Sequence, residues 1–458
     1  MTQSIVIQVG QCGNQIGSRF WDLALREHSQ YNKHSLYDGP LSTFFRNVDT
    51  IKRQYREIPL GNGREKIHTL KARAVLVDME EGVVNNLISS PLGDLFDSRQ
   101  LMTDVSGSGN NWAVGHYMYG DKYKEKIFDI VRHETEKCDC LQSFFVFHSM
   151  GGGTGSGLGS RILSLLHDEY KHVYKFSVPV FPSVDDDVIT SPYNSVLAMR
   201  LLSDISDCVL PFDNEALIDI TKLTGASAKK DPLKKEKPFD RMNDIVAGLL
   251  LNLTSSARFE GTLNVDLNEI AMNMVPFPRM QYLLSSMAPL YMPKDVGMAI
   301  RKIDQMFAET FSKEFQLLKV QPRQHLYLAC ALLVRGRVSL SDIRRNIDKL
   351  NACISFPYWN EKGWKIGHCN TPPVDKPYSL LTLANNTSIL VYFDKIREKF
   401  IKLYKRRAHL HHYLGVDGME MGCFEESIES LLGVIEGYRK METQGQIQPK
   451  GVPRVKIV

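Results

Sequence analysis

The chain has 458 residues, 43% of them hydrophobic, a formal net charge of +4 and eight cysteines. That length predicts two or three domains with real cores, and no apolar run approaches the roughly 18 residues of a membrane span. The start, MTQSIVIQVGQCG, lacks the basic region of a signal segment, and the only close cysteine pair, Cys138 and Cys140, fits neither a disulfide framework nor a zinc site, so a globular intracellular protein with reduced thiols is expected.

In chain order, SIVIQVG reads as a strand of β-branched residues. QCGNQIGSRFWDLALREH follows with Ile16, Phe20 and Leu23 at helical spacing, so a glycine turn over residues 10–13 is predicted between the two. KARAVLVDMEEGVVNNLI repeats the order as strand, acidic turn (Asp78, Glu80, Glu81) and helix. LQSFFVFH (141–148) is a buried strand, MGGGTGSGLGS a bare glycine turn, and the stretch from Gly157 a helix carrying Leu158, Ile162, Leu165 and Leu166. HVYKFSVPVFPSVDDDVITSPYNSVLAMRLL again runs strand, acidic loop, helix.

Glycine is costly to order and packs nothing, so the turn at 151–159 implies a close approach to the main chain. A helix opening there directs unpaired N–H groups and the positive dipole end at the turn, and Thr154 and Ser156 add hydroxyls; the combination suits a phosphate. The GxxxxGK[ST] loop is absent and so is the dinucleotide fingerprint, which predicts a third kind of phosphate loop. Repeated βα units predict a mostly parallel sheet with helices on both faces and a ligand at the carboxyl ends of the strands. Asp78 and Glu80 there suit a hydrated Mg²⁺, and the amides of Asn110, Asn214 and Asn243 suit a sugar or base.

Residues 221–238 carry six lysines against Asp231 and Glu236 and read as an exposed basic loop. Beyond Pro276 an α+β segment is expected. HLYLACALLVRG (325–336) is a buried strand, SDIRRNIDKL a helix with a cap-like Ser341, PYWNEKGWKIG a hairpin-like stretch, and KPYSLLTLANNTSIL another strand and turn. FDKIREKFIKLYKRRAHLHHYL places Ile396, Phe400, Leu403, Arg407 and Leu410 on one helical face with a basic rim. Neither that rim nor His409, His411 and His412, which share no helical face, points to nucleic acid or metal; a packed surface helix is expected.

GGGTGSG is similar to the signature loop of the tubulins and their bacterial filament-forming relatives. GQCGNQIG, GNNWAVGH, SPYN, FDNEAL, and RFEGTLNVDLNEI followed by MVPFP resemble tubulin along nearly the whole chain. MTQSIVIQVGQCGNQIG, FWDLALREH, FFRNVDT, KARAVLVDMEEGVVN, DDDVITSPYNS and LLLNLTSSARFEG resemble the epsilon branch of that family. The resemblance implies an α/β fold with a Rossmann-like parallel-sheet GTPase domain (1–238), a core helix and catalytic loop (239–270), an α+β intermediate domain (271–390) and C-terminal helices with a short basic tail (391–458).

It also implies GTP or GDP with Mg²⁺ as ligands. By position, Gly10, Gln11 and Cys12 match phosphate and base contacts, with Gln11, Asp78 and Glu80 near the metal. Asn110 matches a phosphate-sensing and ribose-contacting amide, Ser149, Gly151, Gly152, Gly153, Thr154 and Gly155 match the signature loop, and Asp187 matches a further nucleotide contact. Asn214 and Asn243 match the pair that reads the guanine edge, and Phe239 an aromatic that stacks on the base. The chain departs from the family in having Ser191 where a glutamate precedes PYN, and Glu81 and Gly82 where Pro and Thr are usual.

Glu269, in GTLNVDLNEI, holds the place of the acidic residue that acts on the GTP of the next subunit, so the resemblance implies a GTPase completed only by a neighbour. The implied partners are other tubulins, namely delta-tubulin and alpha/beta-tubulin, and centriolar accessory proteins, with no nucleic acid and no membrane. The implied setting is the cytoplasm and cytoskeleton, at the centrosome, centriole or basal body, in triplet-microtubule assembly. METQGQIQPKGVPRVKIV, with Glu442 against Lys450, Arg454 and Lys456, lacks the acidic character of a lattice tubulin's tail. The alternative is a free-standing GTPase or nucleotide-dependent regulator that enters no filament.

Overall fold

The computed structural model describes residues 2–50, 56–183, 188–225, 239–290 and 302–445. Most of the basic 221–238 segment, Asp187, and the tail from residue 446 onward lie outside the described residues.

Alternation in the early strands builds the first layer. In β1 (Gln3–Val9), Ile5, Ile7 and Val9 enter one core cluster and Val6 another, on the opposite face of the sheet. A strand with apolar side chains on both faces must be covered on both, which is why its neighbours are parallel. The strands β5 (Ala74–Asp78), β6 (Leu101–Thr103), β7 (Leu141–Ser149), β8 (Tyr174–Phe181) and β10 (Phe212–Asp213) complete the order β10–β8–β7–β1–β5–β6, with β9 (Cys208–Val209) beside β8. Every pair in it is parallel. Strand order runs outward from β1 in both directions, to β5 and β6 on one side and to β7, β8 and β10 on the other. The crevice past β1 and β7 is therefore the switch point of a doubly wound sheet.

Two glycine junctions close that crevice, both tighter than expected. The first helix, Gly10–Tyr31, begins directly after β1, so the predicted turn over 10–13 shrinks to Gly10 at φ 73. After β7 a π-helical turn, Thr154–Leu158, leads into the helix Gly159–Glu169, three residues ahead of the expected start at Gly157. β2 (Phe45–Asp49), β3 (Arg56–Ile58) and β4 (Thr69–Ala72) form a small antiparallel sheet beside this layer.

The second sheet has the order β11 (Gly261–Leu263), β14 (Trp364–Cys369), β13 (Tyr327–Gly336), β15 (Tyr378–Asn386) and β12 (Leu284–Ala288). Here the hairpin expected at PYWNEKGWKIG does not form. A short 3-10 turn, Tyr358–Asn360, leads into β14, which pairs parallel with β13. Parallel neighbours need a crossover, and the helix Leu340–Asn351 supplies it. The cap of that helix is Ser339, not Ser341: its Oγ accepts from Asp342 N at 3.1 Å, so the helix starts earlier. The central helix Asp240–Leu253 joins the two sheets, because its Val246, Leu249 and Leu250 share one core cluster with Val6 and Phe145 of the first sheet and Leu333, Leu381 and Leu383 of the second.

The C-terminal helices Ile389–Lys405, Leu410–Leu414 and Met421–Gln444 pack with the helix Ser191–Ile205 in the other large cluster. The single helix expected through Leu410 is broken: Arg407 (φ 50) and His409 (φ 58) are left-handed, and Arg407 is exposed rather than on the face of Ile396 and Phe400. The break turns the chain so that Leu410 and Tyr413 bury, with the Tyr413 ring 5.7 Å from Tyr193 and 5.6 Å from Phe424.

Candidate nucleotide-binding site

At the carboxyl ends of the parallel strands lies a cavity of about 390 Å³. Its wall brings together Gly10, Gln11, Cys12, Asp78, Glu80, Asn110, Ser149, Gly151, Gly152, Gly153, Thr154, Gly155, Asn214, Phe239 and Asn243. The wall also holds Gln15, Ser108 and Gly109, with an apolar lining that includes Ile16, Leu217, Met242 and Val246. Gln15 was legible as the residue one turn beyond Gln11 on the same helix face, and Leu217 and Val246 as residues three beyond Asn214 and Asn243.

The glycines divide by task. A Cβ on Gly155 would stand 2.5 Å from Ser149 Oγ, and one on Gly153 would stand 2.5 Å from Asn111 N, so both are demanded by packing. A Cβ on Gly10 would lie 3.3 Å from Gly155 N, which shows how closely the two glycine junctions press together. Gly152 differs, since its Cβ would meet nothing nearer than Asn110 Oδ1 and Ser149 Oγ at 3.7 Å. That open side leaves main chain free for a ligand.

Asn194, unremarked as a site residue in sequence, ties these loops together. Its Nδ2 donates to Asn110 O (2.8 Å) and Gly151 O (2.7 Å), while its Oδ1 accepts from Trp112 N (2.9 Å) and Tyr413 Oη (2.6 Å). The side chain is fully buried. Ser108 Oγ and Thr154 Oγ1 are hydrogen bonded at 2.7 Å, which joins the Asn110 loop to the signature loop a second time. Asn110 itself has φ 53, a conformation that Asn tolerates better than most residues.

Asp78 ends β5 and is 3% exposed. One oxygen accepts from Glu80 N at 3.3 Å and the other, Oδ2, is buried without a hydrogen-bond partner. Burial pushes its carboxyl up to about 6, and the neighbouring Glu80 charge adds to the effect. A buried, unpartnered carboxylate oxygen on a cavity wall fits a cation or its hydration water. Burial also pushes the Cys12 thiol up to about 12, so it is an inert wall group, and holds His148 under the loop down at about 4, hence neutral. Phe239 lines the cavity and is 50% exposed.

Ser191 does not line the cavity; its hydroxyl donates to Val188 O. Glu81 and Gly82 form the exposed first turn of the helix Glu81–Ile88. Glu269 also stands away from the cavity wall, in the first turn of the helix Leu267–Met274, where its half-exposed carboxylate pairs with Lys365 of β14. Asp187 lies outside the described residues.

A doubly wound sheet with interlocked glycine junctions at its switch point, a buried carboxylate and converging amides defines a nucleotide-binding α/β protein. Residues 3–222 match the Tubulin/FtsZ family GTPase domain and residues 278–398 the tubulin C-terminal domain. The chain is 54% identical over 478 aligned positions to the tubulin epsilon chain of Mus musculus and equally to that of Homo sapiens, covering 100% of each chain. It is 34% identical to a tubulin beta chain of Porphyra purpurea, over 97% of this chain and 95% of that one. The chain belongs to the tubulin family, and with its GTPase domain carries the capacity to bind GTP or GDP.

Proposed function

We propose that this chain is a guanine-nucleotide-binding cytoskeletal subunit whose GTPase site is completed by a neighbouring tubulin. The observation that carries the reading is the separation of parts: the residues suited to hold a nucleotide line one cavity, whereas Glu269, the acid suited to activate water, is outside it and ion-paired. A carboxylate so placed acts only on a nucleotide presented by another subunit.

Within the cavity, Gly10, Gln11, Cys12, Ser149 and the loop from Gly151 to Gly155 would cradle the phosphates, and Asn110 would contact phosphate and ribose. Asn214 and Asn243 would read the guanine edge and Phe239 would stack on the ring; Asp187 remains a proposed contact. The unpartnered oxygen of Asp78 fits Mg²⁺, which Asp78, Glu80 and Gln11 would hold and which would offset phosphate charge. The high likeness to epsilon chains supports a place in centriole or basal-body and triplet-microtubule assembly, in the cytoplasmic cytoskeleton, with delta-tubulin, alpha/beta-tubulin and centriolar accessory proteins as partners.

The test is the nucleotide content of purified, denatured protein by ion-exchange chromatography, followed by GTP turnover as a function of protein concentration. One equivalent of guanine nucleotide with turnover that rises only on co-assembly, and that changes in a Glu269→Ala protein, is expected. An empty protein would overturn the nucleotide assignment. Steady turnover independent of concentration would identify a free-standing GTPase instead.

A further inference from the structure

The outer side of the C-terminal helical layer carries a stripe of cations. Lys395, Lys399, Lys402 and Arg406 recur at spacings of 4, 3 and 4 along the helix Ile389–Lys405 and its cap, which places them on one face, and Lys405 and Arg407 flank its end. Lys395, Lys402, Lys405, Arg406 and Arg407 are exposed, and among the described residues none of them forms an ion pair within 4 Å, although Lys395 acts at longer range on the Asp213 carboxylate. Asp394 is drawn away into pairs with Arg397 and Arg439, and Glu398, the helix's other carboxylate, forms no ion pair with the stripe. Cations in a last turn offset the helix dipole, which accounts for Lys402 and Lys405 but not for a stripe beginning at Lys395, about two turns earlier.

The end of the stripe is held in shape. Arg407 and His409 keep left-handed conformations that are costly for residues with side chains. Tyr193 Oη donates to Ala408 O at 3.0 Å and Asn111 Nδ2 donates to His412 O at 2.8 Å, which fixes the corner from beneath. The exposed rings of His411 and His412, with centroids 3.9 Å apart, extend it.

We propose that this stripe and corner form a docking surface for an acidic polypeptide segment, one that presents several carboxylates along an extended run. The cations stand about 4.5–6 Å apart along the helix axis, close to the roughly 6.6 Å between same-side residues of an extended chain. The exposed large apolar side chains nearby are Val391 and Leu414, at opposite ends, which is less than the apolar face of a membrane-surface helix. Among the described residues the stripe carries no exposed Phe, Tyr or Trp, and the only exposed rings at its corner are the two imidazoles, a poorer base-stacking platform than the run of aromatics that single-strand binders use.

The test is fluorescence anisotropy of a labelled poly-glutamate decapeptide titrated with the full chain, beside phosphatidylserine-containing vesicles and a single-stranded RNA oligomer. Saturable binding of the peptide is expected. It should weaken about tenfold in a Lys395→Gln, Lys402→Gln, Arg406→Gln protein, which loses three exposed charge contacts. It should stay within about twofold in the equally discharged Arg337→Gln, Arg344→Gln, Lys362→Gln protein. A Lys395→Arg, Lys402→Arg protein should bind as the parent does, and thermal unfolding and nucleotide content should be unchanged throughout. Equal loss in both discharged proteins, absence of saturable peptide binding, or tighter binding of vesicles or RNA than of peptide would overturn the proposal.

Discussion

Asn194→Asp is the most informative single change at the nucleotide loops. The side chain is buried and all four of its hydrogen bonds are made, two as donor to Asn110 O and Gly151 O and two as acceptor from Trp112 N and Tyr413 Oη. Aspartate has the same shape and can still accept, but it cannot donate twice. Ionised, it buries a charge against two carbonyl oxygens; protonated, it satisfies only one of them. A buried polar group left unpaired costs about 1–3 kcal/mol, so losing one or two such contacts predicts a destabilisation of about 2–5 kcal/mol. The two carbonyls belong to the Asn110 loop and the signature loop, so the loss should also register as guanine-nucleotide affinity, at least about tenfold weaker. Urea unfolding read together with titration of a fluorescent GDP measures both. Tyr413→Phe is the counterpart, removing one donor to Oδ1 while both amide donors stay: about 1 kcal/mol of stability is expected to go, with nucleotide affinity nearly unchanged. An Asn194→Asp protein within about 0.5 kcal/mol and twofold of the parent would show that the loops are not held this way.

Burial holds Asp78 at about 6, above the ordinary value of about 4, so the native chain keeps a proton that the unfolded chain has already released. This carboxyl therefore costs stability increasingly as pH rises from about 4 to 6, and by a constant amount above. Asp78→Asn should raise the stability of the ligand-free protein at pH 7 by on the order of 1–3 kcal/mol while abolishing stabilisation by Mg²⁺, and in the parent that Mg²⁺ effect should fade below about pH 6. Thermal unfolding against pH, with and without Mg²⁺, would refute this if Asp78→Asn lowered stability at pH 7. Gly155→Ala, whose methyl would stand 2.5 Å from Ser149 Oγ, should destabilise by about 1–3 kcal/mol. Gly152→Ala should fold normally yet lose nucleotide, because its methyl enters the space between Asn110 and Ser149; equal melting temperatures for the two would contradict this division. Phe239→Ala, at a half-exposed position, should barely change unfolding but weaken guanine nucleotide by about 1–3 kcal/mol, read by competition titration.

The parts of the site that were legible in sequence are those where chemistry and chain order coincide. A strand, a glycine run and a helix follow one another within residues 141–169, so periodicity and composition alone place a phosphate-sized opening there. Asp78 was legible for the same reason, as a carboxylate that closes an apolar strand. What escaped was whatever depends on partners distant in the chain. Asn194 reads as one more helix residue until the fold brings Asn110, Gly151 and Tyr413 around it. Lys365 gives no sign in sequence that it will meet Glu269. The parallel pairing of β14 with β13 could not be told from a hairpin by turn residues, because the crossover helix between them decides it.

The break after Lys405 makes the same point about energy. Helical periodicity continued through Leu410, and local propensity had no reason to stop it. Tertiary packing overrode it: burying Leu410 and Tyr413 beside Tyr193 and Phe424, and bonding Ala408 O and His412 O to the elements beneath, outweighs two left-handed residues. The same corner thereby joins the C-terminal helices by hydrogen bonds to the two loops on which a phosphate would rest, through the Tyr413 hydroxyl to Asn194 and through the His412 carbonyl to Asn111.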